Sequence, residues 1–213
     1  MNLIYHWLFS VVWGAFAIYW LGSALWAKKI KSGESRRQRI IRFMLAALAG
    51  ALLFSPKSGP APLSWRILPQ DKTTFFTGAA MLLAGLGFAV WARLHLGAYW
   101  SAMVAVKEGH RLIRTGPYRF VRHPIYSGLL TAFAGTAVAV GQLRAFLGAA
   151  LLIAIYYRKS RDEERLLAAE FADEYPVYRN QAGALIPISG PPKTVFWSAV
   201  AAVVLILLIG SLS

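Results

Sequence analysis

The sequence predicts an all-α polytopic membrane protein with five to six transmembrane helices, a short helical hairpin among them. Three observations carry that expectation. Of the 213 residues, 57% are hydrophobic and only 15% charged, more apolar surface than a soluble domain can hide. The apolar residues fall into segments that reach or approach the roughly 20 residues a helix needs to cross a bilayer. The charged residues gather between those segments, and most of them are basic, giving a net charge of +14. Without cysteine there is neither a disulfide framework nor a thiolate metal site, and no metal centre is expected. A charge of this size in a soluble protein would suggest nucleic acid. Here the aromatic residues lie inside the apolar segments, not among the basic ones as a stacking platform requires, so the basic loops read as topology signals and contacts with anionic membrane lipids.

Residues 3–27 form the first apolar segment, uncharged and rich in aromatics (Tyr5, Trp7, Phe9, Trp13, Phe16). No basic stretch precedes it and no small-residue cleavage site is evident, so it is expected to be a retained helix, with His6 at the interface. A basic loop follows. Segment two covers residues 40–55, and a Pro- and Gly-rich loop, 56–72, leads to segment three, 73–96. Its glycines Gly78, Gly85 and Gly87 are expected to permit close helix packing. A polar insert, 97–124, precedes two shorter apolar segments, 125–140 and 145–157. At about 1.5 Å per residue these span about 24 and 20 Å, a tight hairpin. A second polar insert, 158–193, and a last apolar stretch, 194–212, complete one integral membrane domain. Its core is expected at 73–187.

Loop charge sets the orientation. With the N-terminus outside, 19 of the 23 Lys and Arg residues fall on the cytoplasmic side, leaving Lys57, Arg66, Lys72 and Arg144 on the other. Both polar inserts then share one face, held together by the hairpin between them.

The first insert closes with a run, residues 116–128, holding two Pro, two Gly, two Arg, a His and two Tyr. Arg122-His123 at the mouth of a membrane helix is costly unless used, and Pro124 suits a first helical turn. Upstream, Val104 to Val106 and Leu112-Ile113 read as two short extended pieces around the turn Lys107-Glu108-Gly109. Such a turn is either an ordinary connection or a set of amides for the polar ends of a nucleoside cofactor. In the second insert Leu167, Phe171, Tyr175 and Tyr178 make one apolar helical stripe, and Glu163 and Glu164 are expected toward the start of that helix, where the dipole favours acids. Pro176 is expected to end or kink it.

These residues resemble the isoprenylcysteine carboxyl methyltransferase family. The pattern runs Lys107 to Leu112, Gly116 to Gly128, Glu163 to Leu167, Phe171 to Tyr178 and Ile186-Pro187. The resemblance implies an integral membrane fold, S-adenosyl-L-methionine as cofactor with S-adenosyl-L-homocysteine as product, and methyl transfer to a carboxylate on a lipidic small molecule entering from the bilayer. No obligatory protein partner is evident. Carried over residue by residue, the resemblance assigns cofactor contacts to His110, Arg111, Leu112, Ile113, Tyr118, His123, Pro124, Ile125 and Tyr126, with Glu163 and Glu164 closing the site. Lys159 stands where the family has an Arg that holds the substrate carboxylate. A Lys cannot make the same planar two-pronged contact, so Arg158 or Arg161 is an alternative; Arg158 and Arg122 join Lys159 as catalytic candidates. Competing readings are a sterol-reductase-like enzyme using a nicotinamide cofactor, a phospholipid amine N-methyltransferase, and a membrane scaffold without activity.

Overall fold

Two pairs of glycines set the centre of the molecule. In the computed structural model, helix α3 (Lys72–Leu96) runs antiparallel to helix α4 (Pro124–Val140), with Gly78 against Gly135 and Gly85 against Gly128. A Cβ added at Gly78, Gly85 or Gly128 would lie 2.5 Å from a backbone carbonyl of the facing helix. Both helices carry the two glycines seven residues apart, about two turns, so the smooth stripe stays on one face and the backbones touch. Gly87 differs from its expected role: it meets nothing within 4 Å and faces outward. A Gly85→Leu protein should therefore lose about 3 kcal/mol or more of stability in detergent, whereas Gly87→Leu should change it by less than about 0.5 kcal/mol. Denaturant titration followed by circular dichroism checks both.

The structure describes residues 3–25, 30–33, 35–55, 61–100, 105–107 and 112–187. The expected last span, 194–212, and the candidates His110 and Arg111 lie outside the described residues. Around the α3–α4 pair stand α1 (Leu3–Ala24), α2 (Arg36–Phe54), which starts in a capping box between Ser35 and Gln38, and α5 (Leu143–Glu170). A last short helix, α6, covers Glu174–Gln181. Trp13 of α1 stacks on Phe133 at 5.0 Å and donates its indole N–H to the Thr136 hydroxyl. Gly148 of α5 rests against the Ala49 carbonyl of α2.

Two helical stretches, Trp7–Ala24 and Lys72–Tyr99, are long and apolar enough to cross a membrane, and α4 is a shorter apolar helix. The outer surface carries a belt of exposed large apolar side chains, among them Ile18 and Leu21 on α1, Phe43 and Met44 on α2, and Leu83 and Leu94 on α3. Water would penalise so large an apolar area; lipid chains do not. This is a membrane helical protein.

The second arm of the hairpin departs from its expected length. It does not stop at Tyr157 but continues as one 28-residue helix to Glu170. Nothing between 157 and 170 breaks it: there is no Gly or Pro, and Arg, Lys, Glu, Leu and Ala are good helix formers. Glu163 and Glu164 are therefore near the end of a helix, not its start, and the dipole does not account for them. The break falls at residues 171–173, ahead of Pro176, which sits in the first turn of α6, where its missing N–H costs nothing. Leu167, Phe171, Tyr175 and Tyr178 still meet, but across that break, with Leu112 and Ala182.

Two short strands are also present. β1 (Ile30–Gly33) pairs antiparallel with β2 (Ala105–Lys107). The extended piece at 105–107 thus pairs with the loop after α1 and not with Leu112-Ile113 across a local turn, since an edge is satisfied by any strand brought beside it. This ribbon and the Arg42–Asp162 ion pair at 3.1 Å bring β1, the start of α2 and described parts of both polar inserts to one end of the bundle. At the other end, the amides of Ile67 and Leu68 donate to the carbonyl of Gly141, whose φ of +66° turns the hairpin.

Candidate functional site

Where α4 begins and the charged part of α5 ends, two acids meet the Arg-His-Pro run. His123 is the N-cap residue of α4 and Pro124 its first helical residue. Their approach is fixed from behind by residues 183–185. The amide of Arg122 donates to the Gly183 carbonyl at 2.7 Å, the amide of His123 to the Ala184 carbonyl at 3.0 Å, and the Ser127 hydroxyl to the Leu185 carbonyl at 2.7 Å. Gly116, at φ +56°, brings this loop in beneath the His95 ring, where a Cβ would lie 2.6 Å from it.

His123 lies between the two acids. Its Nδ1 is 3.5 Å from Glu163 Oε2 and its Nε2 is 3.4 Å from Glu164 Oε1. Its ring stacks on Tyr126 at 5.5 Å with the planes 4° apart. The Tyr126 hydroxyl donates to Glu163 Oε1. One turn before Glu163 on α5, the Lys159 ammonium lies over the Tyr126 ring at 5.2 Å and the Tyr156 ring at 6.0 Å. Glu163, His123, Tyr126 and Lys159 therefore form one contiguous cluster.

Glu164 faces a different partner. Arg122 donates to Glu164 Oε1 from Nη2 at 2.7 Å and from Nε at 3.0 Å, and its Nη1 donates to the carbonyls of Arg179 and Ala182. Both side chains are nearly buried, 8% exposed each. The geometry makes this a clasp that ties α5, the loop before α4 and the end of α6 together.

Burial pulls the His123 imidazole toward its neutral form, but the carboxylates of Glu163 and Glu164, 3.5 and 3.4 Å from its two ring nitrogens, outweigh it and raise it above its ordinary value. Burial pushes the Glu164 carboxyl up, and His123 with Arg122 outweighs that and holds it at about 2. Glu163 is also lowered against burial, by His123 and Lys159. Because the folded state binds the His123 proton more tightly than the unfolded chain, the stability it adds is complete below pH 6.5 and fades as pH rises through the raised value. Glu164 adds stability above pH 4.5 that is lost as pH falls toward about 2. The melting temperature should thus peak between these limits, and His123→Gln should flatten the alkaline fall. A thermal scan from pH 3 to 9 checks both.

Among the other candidates, Pro124 and Ile125 are buried in the first turn of α4, and Ile113 packs against the central core. Tyr118 is buried and receives a hydrogen bond on its carbonyl from the Tyr178 hydroxyl at 2.7 Å. Leu112 packs in the α6 cluster with Tyr175 and Tyr178. Arg158 is exposed and about 140° around α5 from Glu163, so it does not join the cluster. Two contributors went unread in the sequence. Tyr156 packs on Tyr126 at 5.0 Å, and its spacing of three and seven residues from Lys159 and Glu163 places all three on one helix face once α5 is continuous. The 183–185 buttress carries no signal of its own, because it acts through backbone.

Comparison with known proteins meets this geometry. Residues 78–169 match the model of the isoprenylcysteine carboxyl methyltransferase family. The chain is 31% identical over 154 residues to protein-S-isoprenylcysteine O-methyltransferase of Schizosaccharomyces pombe, covering 68% of this chain and 65% of that protein. It is 30% identical over 167 residues to methanethiol S-methyltransferase 2 of Bradyrhizobium diazoefficiens, covering 70% and 60%. It is 32% identical over 102 residues to the uncharacterised protein YpbQ of Bacillus subtilis, covering 46% and 53%. The chain thus spans between half and two thirds of the length of these relatives. The matched region runs from the glycine stripe of α3 through the Arg-His-Pro loop to the acids of α5. Across residues 78–169, which carry this site, the chain is similar to the isoprenylcysteine carboxyl methyltransferase family.

Proposed function

We propose that this chain is an integral membrane methyltransferase that takes its methyl group from S-adenosylmethionine and passes it to the carboxylate of a lipidic acceptor. It would sit with its N-terminus outside, five to six spans in the bilayer, and the acid cluster on the cytoplasmic side. One observation carries the reading: Glu163, from the second polar insert, meets His123 and Tyr126 at the start of α4, where the first insert ends. The residues suit the cofactor. A part-buried acid can take its amine or hydroxyls, and the rings of Tyr118, Tyr126 and Tyr156 offer faces to a sulfonium at about 0.5–2 kcal/mol each. Among the described residues there is no cluster of His, Asp and Glu arranged for a metal.

When bound, S-adenosylmethionine supplies a methyl on a positively charged sulfur. The chain supplies placement. Glu163 holds the cofactor's polar end, while His123 and Tyr126 keep that carboxylate charged and aimed. Arg122 and Glu164 act as positioning residues by fixing His123. Lys159, one helical turn from Glu163, orients the acceptor carboxylate without protonating it. A carboxylate is already ionised at neutral pH, so the transfer needs no general base, only alignment and exclusion of water, which can be worth about 7–11 kcal/mol. The acceptor's tail would enter sideways from the bilayer.

Methyl-labelled cofactor incubated with the purified protein and a membrane lipid extract tests the reading. An ester product releases labelled methanol in base. With methanethiol added in a parallel reaction, a volatile labelled sulfide would instead align the chain with its methanethiol-methylating relative, and a base-stable label in the lipid reaction would indicate an amine acceptor.

A further inference from the structure

A second buried polar cluster lies outside the acid cluster, between α1 and the end of α3. Arg93 is 4% exposed, and among the described residues no carboxylate pairs with it. Its guanidinium lies over the Trp100 ring at 4.6 Å. Its Nη1 donates to the Gly97 carbonyl at 2.7 Å and its Nη2 to the Ser23 carbonyl, so it bridges the C-terminal ends of α3 and α1. Two neighbouring polar atoms are left over. Among the described residues, nothing hydrogen-bonds Arg93 Nε or the Tyr19 hydroxyl, and both atoms are buried. Tyr19 precedes Ser23 by one turn on α1 and is near enough to Arg93 to act on it electrostatically.

A buried guanidinium without an opposing charge is costly, and so are orphaned donors beside it. Two carbonyl contacts satisfy donors but do not neutralise the charge. Arg93 Nε and Tyr19 O–H are both donors, so what completes them is an acceptor oxygen bearing negative charge. The surroundings are apolar and aromatic, with Trp20 packed edge-on against Trp100 at 5.2 Å. Tyr118 is within electrostatic reach of both Arg93 and Glu163.

We propose that Arg93, Tyr19 and Trp100 form a binding site for an oxyanion carried on an apolar molecule: a carboxylate of the methyl acceptor or the phosphate of a membrane lipid. As an acceptor subsite it rests on the methyltransferase reading and supplies the guanidinium that the Lys at position 159 does not; as an anion site it stands alone.

The probe is 9,10-dibromostearate, whose bromines quench nearby tryptophan, added to the purified protein in neutral detergent. The expected result is saturable quenching that is lost in Trp100→Phe, at least tenfold weaker binding for the dibromostearate methyl ester, and at least tenfold weaker binding of the acid to Arg93→Gln. Arg93→Lys should recover part of the affinity, and Tyr19→Phe, which leaves the α1–α3 bridge intact, should lose about three- to fivefold. Equal binding of acid and ester, or unchanged affinity in both Arg93→Gln and Tyr19→Phe, overturns the proposal. Competition by phosphatidic acid but not by oleate assigns the site to a lipid headgroup; competition by oleate assigns it to a carboxylate. S-adenosylhomocysteine titrated into the same preparations separates the two readings: if it fails to bind while dibromostearate still does, the methyltransferase reading falls and the anion site remains.

Discussion

A Glu163→Gln protein is expected to fold and melt within a few degrees of the wild type, yet to bind S-adenosylhomocysteine at least about 30-fold more weakly. The change removes a charge and keeps the shape. Glu163 takes no part in the Arg122–Glu164 clasp that holds the inserts together, so the scaffold survives. What disappears is the negative charge offered to the ligand's amine or hydroxyls, while the Gln amide oxygen can still accept from the Tyr126 hydroxyl. Losing one partner of a buried, hydrogen-bonded charge pair costs about 2–5 kcal/mol, and 1.4 kcal/mol is a factor of ten in affinity. Calorimetric titration in detergent reads the difference. Unchanged affinity in a folded variant would remove Glu163 from the cofactor site.

Arg122→Ala is expected to do the reverse and act on the fold. It strands Glu164, 8% exposed, and leaves the carbonyls of Arg179 and Ala182 without their donor. Breaking a buried ion pair on one side costs about 3–5 kcal/mol. Arg122→Lys should recover only part of this, because an ammonium cannot address the carboxylate and two carbonyls together as the planar guanidinium does. The double variant Arg122→Ala/Glu164→Ala should be less destabilised than the sum of the single changes, since the uncompensated charge is gone. Denaturant unfolding checks the series. If Arg122→Ala kept its stability and lost only turnover, Arg122 would instead be a catalytic residue that touches substrate.

The ordering of apolar segments and the meeting of the two polar inserts could be read from the sequence because they rest on strong local signals. Runs of apolar residues, the glycines Gly78 and Gly85 of the third segment, and an Arg-His-Pro run ahead of a helix each act through the residues that show them. The helix around Glu163 was misread because the boundary at Tyr157 marks a change of solvent, not of backbone: apolar residues give way to charged ones, while the helix propensity never drops. Tyr156 was missed with it, since only a continuous α5 places it on the same face as Lys159 and Glu163. The pairing of 105–107 with 30–33 was out of reach, because strand partners distant in sequence leave no local mark. Glu163 and Glu164 look equivalent in sequence. The 100° that separates neighbours on a helix turns one toward Tyr126 and the other toward Arg122.

The central claim is that the cluster of Glu163, His123 and Tyr126 grips the methyl donor. An experimental structure of the purified chain with S-adenosylhomocysteine tests it most directly. The account predicts the product seated at the start of α4, with its amine or a ribose hydroxyl within hydrogen-bond distance of the Glu163 carboxylate. Product bound elsewhere, with Glu163 still closed on His123 and Tyr126, would contradict it.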